Sequence, residues 1–346
     1  MISINKNNQF RLNYWRKLFY GLKIALSLGI LSYLISKINW SNSFATIQQA
    51  NYLWLIFTLI LKLSEWLLLT YKWNILLKIR GIFISFHRLL AINMIGGFWG
   101  LFLPSSLGVD VVRGYYLFKS SSDKAKSASS IIIDRFFAFF SLLIFVGVAL
   151  LFPANVFLEF PLGNYIIGFL LIIITCYTIF QTNHFSDFLI FVNRKLKSNS
   201  VVGKAINLRT ALLEYNKYPF TLFQSFIYAL VIQIIRVITY ITIAWSFGIY
   251  IPIIYYFIFC PLIILILMVP ISIGGFGLRE GAFVAFFTKV GMQLEDAVII
   301  SLTSSLITNF VTLFGGVIYL FYKSEVNTKN SNYSDNVTNS EKVIIN

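Results

Sequence analysis

Cysteine and histidine are nearly absent: the 346-residue chain carries two of each. Cys176 and Cys260 both fall inside apolar runs with no Cys or His at metal-ligand spacing, so they read as structural, reduced thiols. His87 and His184 stand alone at segment ends and read as interfacial. No Ser/His/Asp, P-loop or HExxH arrangement occurs, and the expectation is a chain without metal or cofactor and without a recognisable catalytic motif. Charge is scarce too, at 12% of residues, against about 25% in a soluble domain. Hydrophobic residues make up 58% and mean hydropathy is +0.78, which excludes a soluble globular domain and implies a polytopic membrane protein. The charge that remains is one-sided, with 28 Lys and Arg against 13 Asp and Glu. No basic–aromatic module accompanies it, so nucleic acid is not the expected partner. The basic residues lie between apolar runs, as cytoplasmic loops require.

Taken in order, residues 1–17 are a polar, basic segment expected on the inside, followed by an uncleaved first span, Leu18–Ser36. Tyr52–Trp73 is the second span and carries Lys62 and Glu65 on one helix face. Charges at that depth cost about 2.5–3.5 kcal/mol each on insertion scales, so they should face the interior and pair. Residues 72–88, with Lys72, Lys78, Arg80 and Arg88, read as an inside loop. Leu89–Leu103 and Pro104–Phe118 are each too short for the roughly 20 residues of a crossing helix. Ser129–Phe152 crosses outward with Asp134 and Arg135 in its first turns, and 153–163 is an external loop without Lys or Arg. Asn164–Gln181 returns, and 182–219 is a basic inside segment that fits either an amphipathic surface helix or a plain linker. Phe220–Phe247, with Gln233 and Arg236 near its middle, precedes a second short pair, Tyr255–Val269 and Pro270–Val290. Val298–Phe321 is the last span. The tail 324–346, rich in Asn, Ser and Thr, is expected to be disordered.

One ten-residue pattern occurs at both short pairs. Pro104-Ser105-Ser106-Leu107-Gly108 through Arg113 and Pro270-Ile271-Ser272-Ile273-Gly274 through Arg279 both read P-x-S-x-G-x4-R, offset by 166 residues from Pro104 to Pro270. Pro and Gly break helices, and interrupted segments in corresponding places of two halves point to a transporter site. Short arms that enter and leave on one side make re-entrant hairpins. The expected fold is therefore an all-α polytopic membrane protein with about six full crossings and two re-entrant hairpins. Three crossings per half give two inverted repeats, 18–152 and 164–323. Helix N-termini at the hairpin tips favour an anion. The candidate substrate-binding residues are Pro104, Gly108, Asp110, Arg113, Pro270, Gly274, Gly277, Arg279 and Glu280. Arg113 and Arg279 either clasp a phosphate or are neutralised by Asp110 and Glu280; the sequence leaves both open. Lys62, Glu65, Asp134, Arg135 and Arg236 are further buried-charge candidates.

The segments FLPSSLGVDVVRGYYLF (102–118), VPISIGGFGLREGAFVAFF (269–287) and IIIDRFF (131–137) together resemble the lysylphosphatidylglycerol synthase transmembrane-region family. The likeness covers roughly residues 15–323, and its positions here are Pro104, Gly108, Asp110, Arg113, Asp134, Arg135, Pro270, Gly274, Gly277, Arg279 and Glu280. Ser105-Ser106 stand where that family's pattern is Gly-rich. The resemblance implies movement of an anionic or aminoacylated lipid, or a lipid-linked glycan, between leaflets of a bacterial or archaeal cytoplasmic membrane, with both termini inside. Partners would be membrane lipids and a lipid-modifying enzyme. It does not extend to the synthases' soluble aminoacyl-transfer domain, so lysyl transfer by this chain alone is not expected. Two alternatives stand beside it: a membrane-embedded transferase acting on a lipid phosphate through Glu65, Asp110, Asp134 or Glu280, and a non-catalytic membrane subunit.

Overall fold

The computed structural model describes residues 21–37, 44–150 and 199–344, apart from positions 26, 35, 45, 104–107, 121–122, 270 and 273. Segment 1–17, Pro104 and Pro270, the loop 153–163, the span Asn164–Gln181 and positions 182–198 therefore lie outside the described residues. Among the described residues the chain is helical throughout, without strands. The elements are α1 (Gly21–Leu34), α2 (Tyr52–Lys78), α3 (Phe86–Gly100), α4 (Gly108–Ser120), α5 (Lys124–Leu150), α6 (Asn199–Leu213), α7 (Pro219–Ser246), α8 (Ile253–Met268), α9 (Leu278–Phe287) and α10 (Leu294–Ile344).

Local chemistry sets these boundaries. The Asn51 side chain accepts from the Leu53 N–H at 3.0 Å and caps α2. No Gly or Pro then interrupts the helix before Gly81, whose φ is 72°. Asp123 caps α5 by accepting from the amides of Ala125 and Lys126 at 3.0 and 3.1 Å. Pro219 opens α7, where its missing N–H costs nothing. Gly291, with φ 90°, precedes α10. The Asp123 cap thus starts α5 at Lys124, earlier than the expected Ser129, and α10 starts at Leu294, earlier than the expected Val298. The cap-to-glycine length of α2 carries it five residues past Trp73. Lys72 is consequently not in an inside loop but buried in the helix bundle. Helix α10 continues to Ile344 through the polar stretch whose composition predicts disorder; no Gly or Pro after Gly316 stops it.

Four described helices are long and apolar enough to cross a membrane: Tyr52–Lys78, Lys124–Val148, Pro219–Ser246 and Leu294–Tyr322. Of the six full crossings expected, four are these, Leu18–Ser36 appears as the shorter apolar α1, and Asn164–Gln181 is outside the described residues. The outward faces are apolar, with Leu53, Ile56 and Ile60 on α2 and Phe310, Leu313 and Leu320 on α10 all exposed. The interior is apolar too, with Ile243, Phe259, Phe283 and Phe287 in its core, but buried hydroxyls such as Ser130, Ser301, Ser304 and Thr312 are interspersed. Small and hydroxyl residues of this kind make helix contacts in a lipid solvent.

The eight helices of the two halves follow one order: long, short, short, long. The displacement is 167 residues from Tyr52 to Pro219 and from Phe86 to Ile253, and 170 from Gly108 to Leu278 and from Lys124 to Leu294. Their packing repeats as well. Helix α3 touches α2, α4 and α10, while α8 touches α7, α9 and α5; α2 packs on α5 as α7 packs on α10. At the centre α2 and α7 pack on each other over their length and run antiparallel. The Asn51 N–H donates to the Ser246 carbonyl at 2.7 Å, Thr58 meets Thr242 at 2.8 Å, and Tyr71 meets Tyr228 at the far end. Glycines bring α3 against α10 and α2: a Cβ on Gly315 would lie 2.0 Å from the Met94 carbonyl, and one on Gly97 2.5 Å from Trp66 of α2 and 3.2 Å from Thr312 of α10. Gly315→Val should therefore destabilise the fold by about 1–3 kcal/mol, read as a lower thermal midpoint in detergent; an unchanged midpoint would show that this seam yields freely.

Candidate functional site

Two ion networks occupy the interior. In the first, Glu65 of α2 accepts from Lys62 at 2.9 Å and from Arg236 of α7 at 2.6 Å, so one carboxylate joins the two central helices. In the second, the Asp134 carboxylate of α5 pairs with Lys72 at 3.0 Å and accepts from Arg113 at 3.1 Å, while Lys72 donates to the Asp134 backbone carbonyl at 3.3 Å. Arg113 also reaches Asp110 at 3.2 Å, and Arg135 donates twice to Asp110. The Arg113 guanidinium lies 4.0 Å over the Trp73 ring, a cation–π contact. Trp73 in turn donates to Ser130 at 3.2 Å. Arg113 is 4% exposed, and both of its carboxylate contacts are made by Nη1.

The second half is built differently. Glu280 sits in the first turn of α9, where its carboxylate accepts from the Gly277 N–H at 2.7 Å and from the Ser305 hydroxyl at 2.7 Å. Arg279 donates to the same Ser305 oxygen at 2.8 Å. No carboxylate lies within ion-pair distance of Arg279 among the described residues. The tip before α9 turns on Gly274, Gly275 and Gly277, with φ of 59°, 81° and 75°, values a side chain rarely tolerates. A Cβ on Gly274 would lie 3.2 Å from the Leu101 carbonyl, so the second tip meets the first hairpin. Gly108 opens α4 against the Leu103 side chain.

A cavity of about 320 Å³ lies between the halves, with Lys62, Arg135, Arg236 and Arg279 in its wall. Ser304, Thr308 and Thr312 line its α10 side at i, i+4 spacing. Around and beneath it stand six cations (Lys62, Lys72, Arg113, Arg135, Arg236, Arg279) and four carboxylates (Glu65, Asp110, Asp134, Glu280). Among the described residues, basic side chains around the site thus outnumber acidic ones by two.

The geometry reassigns the repeated arginines. Arg135–Asp110 in the first half corresponds to Ser305–Glu280 in the second, both partners displaced by 170 residues. The stack of Arg113 on Trp73 corresponds to Phe283 stacked on Tyr240, displaced by 170 and 167. Arg113 is therefore the counterpart of Phe283, and Arg279 that of Val109, which also lines the cavity. The P-x-S-x-G-x4-R offset of 166 does not describe the packing, because the second short arm and its glycine tip are longer. Of the sequence candidates, Gly274 and Arg279 line the cavity together with Lys62, Arg135 and Arg236; Asp110, Arg113, Glu65, Asp134, Gly277 and Glu280 support it from behind. Lys72, Ser304, Ser305, Thr308 and Thr312 were not among those candidates. Lys72 lies seven residues from Glu65 on the same helix face, and the hydroxyl stripe repeats every four residues, so both signals were present.

Residues 21–316 match the family described as the lysylphosphatidylglycerol synthase transmembrane region. The chain belongs to that family. A curated relative, a UPF0104 membrane protein of Archaeoglobus fulgidus, is 32% identical over 114 residues. That match spans 33% of this chain and 34% of the relative, about a third of each length. No solved structure matches. Membership in this family, with the apolar crossing helices, makes the chain a multi-pass integral membrane protein.

Outside the membrane part, the remainder of the basic segment within the described residues is helix α6 packed on α5. It leads to Tyr215, which donates to the Leu76 carbonyl at 3.2 Å, while Arg80 pairs with Glu214. Burial pushes the Tyr215 hydroxyl well above its ordinary pKa, so it remains a donor at any physiological pH. Asp134→Asn should cost about 3–5 kcal/mol of stability, because it strands Lys72 and Arg113 without their shared carboxylate. The double variant Asp134→Asn with Lys72→Met should recover part of that loss. Thermal unfolding in detergent measures both, and an Asp134→Asn midpoint equal to wild type would show that the network is not what holds α2 to α5.

Proposed function

We propose that the two halves form an inverted pair around a central anion site, and that the chain moves an anionic lipid headgroup between membrane leaflets. The observation that carries this reading is the cavity itself: Lys62, Arg135, Arg236 and Arg279 converge in its wall, and no carboxylate lines it among the described residues. A charge that is not neutralised is expensive in that setting, and an anion in the cavity relieves it. Arg279 is the residue best placed to meet a phosphate oxygen, since among the described residues it donates to a neutral hydroxyl and pairs with no carboxylate. The antiparallel α2–α7 pair and the repeated long–short–short–long packing support a two-fold axis in the membrane plane, the arrangement in which two interrupted segments meet between halves. Family membership agrees with a lipid-handling membrane domain, and an inner-membrane location with both termini inside follows the loop charges.

The transferase alternative has less support. Glu65, Asp110 and Asp134 are each held by two cations, and Glu280 by an amide and a hydroxyl. None of the four is therefore poised as a general base. The test is leaflet exchange of a fluorescent anionic phospholipid by the purified protein in liposomes. Wild type should accelerate exchange over protein-free vesicles. Arg279→Ala, checked for monodispersity, should slow it about 10- to 100-fold, the range for losing one charge-assisted contact of about 1.5–3 kcal/mol. Exchange in wild type no faster than in empty vesicles would sink the transport reading.

A further inference from the structure

A second cavity, of about 300 Å³, is lined wholly by carbon. Its wall is Ile144, Phe145 and Val148 of α5, Leu230 and Ile234 of α7, and Ile254, Phe257 and Ile258 of α8. It runs from the middle of α7 to the end of α5 and the start of α8. The same three helices wall the cationic cavity, and Leu142, which lines that cavity, is one turn from Phe145 along α5. An apolar slot beside a cationic site has the two-part chemistry of an amphiphile.

The counterpart of this seam in the other half shows that the slot is not a general consequence of the fold. The α5–α8 seam corresponds to the seam between α10 and α3. At the helix displacement of 170, Phe145 corresponds to Gly315. Gly315 lets α10 press onto the α3 backbone at Met94, and Gly316 lies against Phe98. In the slot, Phe145 instead stacks on Phe257 with ring centroids 6.2 Å apart and keeps α5 off α8. Equivalent seams are thus closed by glycine on one side and propped by phenylalanine on the other. Val148 and Ile254 at the rim are 50% and 38% exposed, so the slot reaches the outer surface of the bundle, where the solvent is lipid.

We infer that this slot holds a hydrocarbon chain of the same lipid whose headgroup occupies the cationic cavity, and that the α5–α8 seam is its lateral portal. The inference rests on the anion-site reading above. It makes the ligand an amphiphile and not a water-soluble phosphate, and it makes entry sideways from the bilayer. An interior route from the water phase does not need a carbon-lined wall opening between helices.

The test uses the full chain in liposomes with two phospholipid probes, phosphatidic acid and phosphatidylcholine, each carrying a diazirine at the end of one acyl chain. After illumination, mass spectrometry maps the labelled residues. Phosphatidic acid should label Phe145, Val148, Ile254 or Phe257 several-fold more than phosphatidylcholine does. Val148→Trp and Ile254→Trp, at half-exposed rim positions that accept bulk, should cut that labelling and slow anionic-lipid exchange while the protein stays monodisperse. Equal labelling by both probes, labels confined to the outer faces of α2 and α10, or tryptophan variants that label like wild type would each overturn the slot. The two readings fail separately. Wild-type exchange with an unlabelled slot removes the slot and leaves transport. Headgroup-selective slot labelling that Arg279→Ala abolishes, without exchange of any lipid, keeps the slot and removes transport.

Discussion

One carboxylate at membrane depth, Glu65, couples the two halves of this protein. Lys62 of its own helix and Arg236 of the other half both reach it, so the Arg236 charge meets this carboxylate only when α2 and α7 lie side by side in one register. In water such pairs contribute little, but in the bilayer the unpaired state is the costly one. The antiparallel direction of the pair then decides the rest. Each following short hairpin is delivered to the opposite half, where α3 meets α10 and α8 meets α5. The cationic cavity is the space that these contacts and the α2–α7 pair leave between them.

The order of elements was legible in the sequence because it depends on length alone: runs too short to cross stand out between runs that can. The buried charges Lys62, Glu65, Asp134, Arg135 and Arg236 were legible because nothing else explains a charge inside an apolar run. Lys72 was misread for the complementary reason. Two more cations follow it, and a cluster of positive charge resembles a loop until the helix is seen to run on to Gly81. The repeated arginines were misread through a four-position match. Such a pattern records residue identity, whereas equivalence in space is set by which rings and ion pairs coincide, and those follow Asp110 with Glu280 and Trp73 with Tyr240. The prolines that suggested the repeat, Pro104 and Pro270, fall outside the described residues.

The halves share a plan but have diverged in chemistry. Where the first half carries Arg113 and Arg135 closed into ion pairs with Asp110 and Asp134, the second carries Phe283 and Ser305 and leaves Arg279 with a hydroxyl. The first half's arginines are therefore each paired with a carboxylate, whereas Arg279 of the second faces the cavity with a hydroxyl as its partner. The seams repeat that division, glycine on one side and phenylalanine on the other. Near-symmetry positions the groups, and its breaking gives the cavity a direction.

The surplus of two positive charges has an electrical meaning as well. Moving one elementary charge through a 100 mV membrane potential changes its energy by about 2.3 kcal/mol. A site whose Arg279 has no carboxylate partner among the described residues is therefore a charge placed in the transmembrane field. Any rearrangement that shifts the empty site along that field is driven or opposed by voltage. An anion that fills the cavity cancels the charge and releases the same movement from the field.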